Sequence, residues 1–166
     1  MQIPIRKPGI YTHSETDPNL TPAKFRELEA ELARLKTVSQ PRAIKETARL
    51  ALMGDFSENA AYQISKGKLR GINQRILDLE NRLKFAEIIQ PNKNSGVVQL
   101  GQTVTVSASG KTYTYQILGS TETDPRTGVI SHQSPLGSAL IGRAVGDTVS
   151  VKLANKTVEY KIVKID

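Results

Sequence analysis

The feature that most limits the possible folds of this chain is a repeat of mostly apolar residues between Tyr62 and Ala86. Its positions are separated alternately by three and four residues: Tyr62, Ser65, Leu69, Ile72, Ile76, Leu79, Leu83 and Ala86. This spacing places the side chains in one stripe along a helix, as in the seam of a coiled coil. We therefore predict a long helix whose stripe must be covered by a partner.

A second repeat upstream supplies such a partner. Thr21 and Pro22 form a typical helix start, with Thr as the cap and Pro in the first turn. The seam positions that follow are again three or four residues apart: Phe25, Leu28, Leu32 and Leu35. Pro41 interrupts this arm and Ser39 could cap a new start, so we expect the helix to break or kink there. The apolar positions beyond the proline no longer continue the earlier spacing: Ile44, Ala48, Ala51 and Leu52.

The two repeats meet at a short stretch that favours a turn. Gly54 suits the end of one helix, and Asp55 suits the start of another. We predict an antiparallel coiled-coil hairpin over residues 21–90 with its tip near residues 54–58, extending about 45 Å at about 1.5 Å per residue. A helical bundle is the alternative, but it needs further helices that the sequence does not supply. Because so long a hairpin buries little area per residue, it must be anchored at its base or serve as a probe.

Beyond the hairpin the apolar period becomes two, which is typical of strands. Alternation at Val104 and Val106, a turn at residues 109–111 and two later apolar runs predict a small antiparallel sheet. A short helix is expected over residues 134–141, ended by Gly142, and residues 119–129 are expected to form a polar loop. The predicted fold class is α+β, with four segments: a flexible leader without regular elements (1–20), the hairpin (21–90), a linker (91–96) and the sheet domain (97–166).

Composition narrows the classes of partner and site. The 166 residues include 23 Lys and Arg against 16 Asp and Glu, a net charge of +7, which favours a polyanionic partner such as nucleic acid or a nucleoprotein. The chain has no Cys, which excludes disulfides and thiolate metal sites, and His13 and His132 are too isolated to suggest zinc. No apolar run reaches the roughly 20 residues that span a membrane, and no apolar signal core is present at the N-terminus. We expect a cytoplasmic monomer without membrane attachment.

Asp55 and Glu58 are the tip residues whose carboxylates could cap a helix or bind a cation. Their spacing is that of a capping box, in which both carboxylates serve the start of a helix. The same carboxylates could bind a cation, because Mg²⁺ commonly takes one or two carboxylates together with phosphate oxygens. Two carboxylates are too few for a dedicated metal site. A catalytic metal held here would have to be shared with another macromolecule.

The run from Gly54 to Tyr62, GDFSENAAY, closely resembles the tip motif of the bacterial Gre transcript-cleavage factors, GreA and GreB. Residues 66–70, KGKLR, look closest to the basic second arm of the GreB branch. The C-terminal runs ISHQSP (130–135), ALIG (139–142) and Gly146-Asp147 also match this family. Ala61 departs from the pattern, since an acidic residue is common there, and the leader is longer than the family leads us to expect.

The resemblance implies an N-terminal coiled coil and an FKBP-like C-terminal domain that docks on the rim of the RNA polymerase secondary channel. The coiled coil of such factors enters the channel, and its tip carboxylates help to hold the second Mg²⁺ of the polymerase. The polymerase then hydrolyses the 3′ end of a backtracked RNA. Carried over to this chain, Asp55 and Glu58 would position Mg²⁺ shared with the polymerase, and Ser57 and Asn59 would support the tip. The chain would be an accessory factor that completes the polymerase active site, with no metal bound by the isolated chain.

Basic residues on both arms could line a strip for RNA phosphates or the channel wall, or could simply be a solvated face: Arg42, Lys45, Arg49, Lys66, Lys68, Arg70 and Arg75. Lys66 and Arg70 are four residues apart and share a helix face, so we expect them to contact RNA. Gln133, Ser134 and Pro135 match the family segment that docks on the polymerase. Two other classes remain open: an inhibitory or regulatory channel binder without cleavage stimulation, and an autonomous ribonuclease or prolyl isomerase.

Overall fold

The computed structural model describes residues 17–53, 60–91, 95–153 and 156–166. A short strand, β1 (Asn19–Leu20), precedes a first helical arm made of α1 (Pro22–Arg34), a π-helical segment (Leu35–Ser39) and α2 (Gln40–Ala51). The second arm is α3 (Ala60–Lys84). A sheet domain with one short helix follows, so the α+β fold class is confirmed. Within the described ranges, no helix combines the length and apolar character that a membrane span requires.

Pro41 does not break the first arm, and the predicted new start capped by Ser39 is wrong. The backbone of Ser39 and Gln40 is right-handed helical, and Ser39 makes no capping hydrogen bond. Instead the helix widens, and the Gln40 N–H donates to the carbonyl of Leu35, five residues back. A proline donates no hydrogen bond and its ring clashes with the carbonyl four residues earlier. A π turn is one way in which a helix accommodates such a conflict.

The π-helical segment also changes the helix face that meets the second arm, which overturns the apolar positions expected beyond Pro41. Ala43 is 8% exposed, whereas Ile44 is 51% exposed and Leu52 is 89% exposed. One additional residue in a turn rotates all that follows by roughly 100°. Beyond this segment the seam of the first arm is therefore shifted by one residue and passes through Ala43, while the apolar residues Ile44 and Leu52 do not lie on it.

The seam predicted for the second arm is confirmed, with Ser65, Ile76 and Leu79 buried along α3. Near the base of the hairpin, Leu28 and Leu79 form a core with Leu20, and further apolar residues pack around it: Phe25, Leu32, Leu35, Leu83 and Ala86. The two arms run in opposite directions. Farther toward the tip, the Thr47 and Ser65 hydroxyls are 2.6 Å apart, and the Gln40 side-chain amide donates to Asn73 Oδ1 at 2.9 Å.

Residues 17–20 belong to the fold, contrary to the predicted leader without regular elements. Strand β1 pairs in parallel with β2 (Glu87–Ile88), which follows α3. The Glu87 N–H donates to the carbonyl of Pro18 at 2.8 Å, and the Ile89 N–H donates to that of Leu20 at 2.9 Å. A two-residue strand is too short to show an alternating pattern, so the spacing of apolar residues could not reveal it.

The sheet domain has five strands in the order β5-β4-β3-β7-β6. Their bounds are β3 (Thr103–Ala108), β4 (Lys111–Leu118), β5 (Val129–Ser131), β6 (Thr148–Leu153) and β7 (Lys156–Ile165). Four strands are antiparallel as predicted, but β5 pairs in parallel with β4 at the sheet edge. The stretch expected to be a polar loop contains a 3₁₀ turn (Ser120–Glu122) and the first residue of β5.

Two local features of this domain follow directly from its sequence. Ser109 and Gly110 both have positive φ, +51° and +74°, which is the two-residue hairpin turn that matches strand twist. The short helix α4 (Pro135–Leu140) forms where it was predicted, and Gly142 follows it with φ of +79°. The core beneath α4 consists of fully or nearly fully buried apolar residues: Val98, Val104, Val106, Ile117, Leu140, Val149, Val151 and Ile162.

Candidate functional site

The predicted tip residues Asp55, Ser57, Glu58 and Asn59 lie outside the described residues, so the structure places none of them. The helix ends that flank this segment are described. Leu52 and Met53 follow α2 and are 89% and 66% exposed, and Ile64 in the first turns of α3 is 73% exposed. The described residues therefore leave the sides of this end of the hairpin open to solvent.

Lys66 and Arg70 lie together on an exposed face of α3, as their spacing predicts. They line an open depression of about 390 Å³, together with Leu69, Asn73, Gln74 and Leu77. Among the described residues, neither cation has a carboxylate partner within ion-pair distance. No carboxylate of the described residues therefore neutralises either charge.

Two other members of the basic strip are already paired. The Arg75 guanidinium donates from Nε and Nη2 to the Glu31 carboxylate at 2.9 and 3.0 Å, which joins the two arms. Hydrogen bonding from Arg75 is the main cause that lowers the pKa of the Glu31 carboxyl. Arg49 pairs with Glu46 three residues earlier on the same helix. These two arginines serve the hairpin itself.

The remaining cations do not form one continuous strip. Arg42 and Lys68 line a cleft of about 480 Å³ between the arms, whose other lining residues are Leu35, Ser39, Ala43, Glu46, Ser65 and Ile72. Lys66 and Arg70 line a different depression on α3. The structure therefore separates four of the basic residues into two groups, one on the outer face of α3 and one between the arms, and the exposed Lys45 lines neither site.

The predicted docking segment lies at the start of α4. Gln133 and Pro135 are exposed, whereas Ser134 is half-buried. The Ser134 side chain caps α4 by accepting from the Gly137 N–H at 3.0 Å, and its hydroxyl donates to the carbonyl of Ser131 at 2.6 Å. Ser134 thus shapes the segment, and Gln133 and Pro135 present the exposed surface.

A group of residues that the sequence did not single out connects the hairpin to the sheet domain. We call it the joint: residues 17–21 on the hairpin side and residues 119–122 on the sheet side. The Thr21 N–H and hydroxyl donate to the two oxygens of Glu122 at 2.8 and 2.5 Å. The Asp17 carboxylate accepts from the Ser120 N–H at 2.6 Å and from its hydroxyl at 2.9 Å. These partners are about a hundred residues apart in the sequence, so local patterns could not reveal them.

Asp17 is buried yet stays ionised at neutral pH. Burial by itself raises the pKa of its carboxyl, but hydrogen bonds from Ser120 and Asn19 outweigh burial and lower the pKa below its usual value. The second carboxylate oxygen accepts from the Asn19 N–H and side-chain amide at 3.1 and 2.9 Å. A buried carboxylate with four donors is well satisfied, and removing its charge would leave those donors without a full set of partners.

In the part of the chain that the structure describes, no group of three or more His, Cys, Asp or Glu side chains is arranged to hold a metal ion. His132 lies next to the joint, with Nδ1 at 3.5 Å from Asp17 Oδ2. It contacts a single carboxylate and belongs to no such group among the described residues.

Two family models match this chain and together cover most of it. The model described as "Transcription elongation factor, N-terminal" matches residues 19–88, and "Transcription elongation factor, GreA/GreB, C-term" matches residues 92–166. The chain belongs to the GreA/GreB family of transcription elongation factors. The resemblance noted in the sequence is therefore confirmed at the level of the family.

Individual relatives agree with this assignment. Transcription elongation factor GreA of Cereibacter sphaeroides is 40% identical over 148 residues, which cover 88% of this chain and 98% of that protein. GreA of Ruegeria pomeroyi is 39% identical over 149 residues, covering 89% and 96%. Among solved structures, GreA factor homolog 1 (Gfh1) of Thermus thermophilus is 29% identical and covers 90% of this chain and 99% of that one, with a TM-score of 0.41. A special closeness of the second arm to GreB stays a prediction.

The family match does not extend to the whole of the joint in this Gre factor. The N-terminal model begins at residue 19, so Asp17 lies before the matched range. Asp17 is nevertheless 6% exposed and bonded to the sheet domain. The last residues of the predicted leader therefore pack into the folded structure of this chain.

Proposed function

We propose that this Gre factor stimulates the hydrolysis of backtracked RNA 3′ ends by RNA polymerase. The observation that carries the proposal is the shape of the chain: a two-helix hairpin projects from a sheet domain, and α2 packs chiefly against α3 and the adjoining π-helical segment. Such a projection suits the entry of the hairpin into a narrow channel. Family membership gives the process, transcription elongation, in which this shape would be used.

In this proposal the sheet domain binds the polymerase through the segment that opens α4. Gln133 and Pro135 are exposed on a segment fixed by the Ser134 cap, which is how a rigid scaffold presents a binding surface. Pro135→Asn should weaken polymerase binding and leave thermal stability nearly unchanged, because position one of α4 tolerates Asn. Pro125→Asn, in an exposed loop away from α4, is the matched control. Equal affinity of both variants in a competition assay would reject this surface.

The hairpin brings Asp55 and Glu58 to the polymerase active site. A pair of carboxylates fits the donor preference of Mg²⁺, and the remaining ligands would come from the polymerase and the RNA phosphates. When bound there, Mg²⁺ would activate the attacking water and stabilise the leaving oxygen. Asp55 and Glu58 supply negative charge, and Ser57 and Asn59 support the tip.

Lys66 and Arg70 would bind phosphates of the backtracked RNA. Support comes from their shared exposed depression on α3 and from the absence of an ion-pair partner among the described residues. Arg75 is excluded from this role by its two hydrogen bonds to Glu31. The RNA-binding surface that we propose is therefore narrower than the strip of all basic residues.

Stalled elongation complexes provide the test. Addition of the purified protein should accelerate shortening of the transcript from its 3′ end, while the protein alone should leave free RNA intact. Binding to the polymerase with no acceleration would favour the second candidate, an inhibitory channel binder, which the projecting hairpin fits equally well. Cleavage of RNA without polymerase would instead indicate an autonomous ribonuclease.

A further inference from the structure

We propose that Asp17 and Glu122 are positioning residues that fix the direction of the helical hairpin relative to the sheet domain. When the sheet domain is docked, this direction decides where the tip lies. The consequence for catalysis rests on the proposed function, whereas the geometric part concerns the free protein and stands independently of it.

One carboxylate lies on the hairpin side of the joint and the other lies on the sheet side. Each accepts hydrogen bonds from the opposite side. Asp17 belongs to the hairpin side and accepts from the backbone and hydroxyl of Ser120 in the sheet domain. Glu122 belongs to the sheet side and accepts from the backbone and hydroxyl of Thr21, the cap of α1. Each contact uses a backbone N–H, so it fixes the path of the main chain as well as a side chain. Two such bridges restrict rotation in a way that a single bridge would not.

Gly119 shows how closely the two parts approach at this point. A Cβ atom at this position would lie 2.2 Å from the carbonyl oxygen of Asn19 and 3.4 Å from Asp17 Oδ2. The backbone conformation of Gly119, with φ of −65°, is one that any residue adopts. A side chain at residue 119 would clash with the backbone of β1, so glycine is required here. The main chains of the two parts are therefore in direct contact at the joint.

The joint is also continuous with the predicted docking segment. The Ser120 hydroxyl donates its one proton to Asp17 Oδ2 at 2.9 Å, and its oxygen lies 3.1 Å from the Ser131 hydroxyl. The Ser131 hydroxyl in turn accepts from the Gln133 N–H at 3.0 Å. A short chain of hydrogen bonds therefore leads from the base of the hairpin to an exposed residue that we assign to polymerase binding.

Because the hairpin is long, a small change in its angle at the joint moves the tip by a large distance. The 25 residues of α3 extend about 37 Å at about 1.5 Å per residue. A rotation of about 5° at the base would therefore move the far end by roughly 3 Å. Misplacement of a reacting group by about 1 Å can reduce a rate by about 100-fold. The joint must therefore be rigid if the tip residues are to reach their place reproducibly.

The first measurement is a distance in the free protein. Because the chain has no cysteine, Ile64→Cys and Val163→Cys would place two unique spin labels, one near the far end of α3 and one on β7. Both side chains are exposed, 73% and 49%. We expect one narrow distance distribution in this background and at least a doubling of its width when Asp17→Asn and Glu122→Gln are added.

The matched control removes two carboxylates that do not touch the hairpin. Asp147 accepts from the Ala144 N–H within the sheet domain, and Glu159 is exposed on β7, so Asp147→Asn with Glu159→Gln changes the net charge equally. This control should keep the narrow distribution. Gly119→Ala retains both joint carboxylates and should shift the mean distance by several ångströms. An unchanged distribution in the Asp17/Glu122 double variant, folded by circular dichroism, would overturn the proposal.

The second measurement separates docking from tip placement. In stalled elongation complexes, the Asp17/Glu122 double variant should bind within about threefold of the parent affinity but cleave at least tenfold more slowly at saturation. If the polymerase affinity and the cleavage rate at saturation fell by the same factor, the two carboxylates would have a merely structural role, which would contradict the proposal. If the parent protein does not accelerate cleavage, the proposed function fails, and if Asp55→Asn and Glu58→Gln leave cleavage intact, only the proposed role of the tip carboxylates fails. In both cases the distance measurement still decides the geometric role of the joint.

Discussion

In the half of the hairpin next to the sheet domain the seam holds Leu28 and Leu79, whereas toward the tip the same stripe holds Ala43 and Ser65. The near half also has a bidentate ion pair between the arms and an apolar cluster that reaches Leu20. The far half has small or polar contacts, and large apolar residues are exposed there: Ile44, Leu52, Met53 and Ile64. The large buried apolar side chains of the hairpin are therefore concentrated at its base, whereas smaller and polar side chains are buried in the far half.

Leu79→Ala tests the near half and should have the largest effect. Leu79 is fully buried between the arms and against β1, so its truncation should lower the free energy of unfolding by about 3 kcal/mol. Leu77→Ala, on the 51% exposed neighbouring face, is the control and should change stability by less than about 0.5 kcal/mol. Chemical denaturation followed by circular dichroism measures both. Similar losses would mean that burial of Leu79 in the seam contributes no additional stability to the near half.

Asp55→Asn and Glu58→Gln test whether the far end contributes chemistry without stability. Asn caps a helix about as well as Asp, and Gln can still serve a capping box, but both substitutions remove charge that a shared Mg²⁺ needs. Each variant should reduce cleavage stimulation by about 100-fold, with partial rescue by raised Mg²⁺. Polymerase affinity and melting temperature should not change. Full activity in both variants would leave the carboxylates as caps only.

Lys66→Ala with Arg70→Ala tests the exposed face of the far half. Contacts between these cations and RNA phosphates release counterions, so the loss of cleavage should be about tenfold at low salt and shrink as salt rises. Lys152→Ala with Lys161→Ala, on the sheet domain, removes the same charge elsewhere and should have little effect. A loss that is constant across salt concentrations would favour a packing role for Lys66 and Arg70.

The smallest effect is expected from the polar pair in the far seam. Ser65→Ala removes the hydroxyl that lies 2.6 Å from the half-buried Thr47 hydroxyl, which keeps its own hydrogen bond to the carbonyl of Ala43 at 2.8 Å, and should cost about 1 kcal/mol. Adding Thr47→Val removes both hydroxyls and should restore most of that stability, since an apolar pair of similar shape replaces the hydrogen bond. Denaturation of the single and double variants measures the difference. If the double variant were less stable than Ser65→Ala, this hydrogen bond would not be the reason for the loss.

Elements that depend on local information were predictable from the sequence alone. The three-and-four spacing gave α3 and the hairpin, period-two alternation gave β3 and β4, and Ser134 with Pro135 gave the start of α4. These predictions succeed because each depends on residues within a few turns of one another. The tip motif likewise indicated the family from a short stretch of sequence. Asp55 and Glu58 themselves lie outside the described residues.

Features that depend on distant partners or on an irregular turn became visible only in the folded chain. The π-helical segment before Pro41 changed which residues face α3, because one extra residue rotates the rest of the arm. The short strands β1 and β5 exist through pairing with β2 and β4 rather than through a pattern of their own. The joint depends on Asp17 and Glu122 meeting partners about a hundred residues away. Hydrogen bonds of this range carry no local periodicity, so they become visible only when the chain is folded.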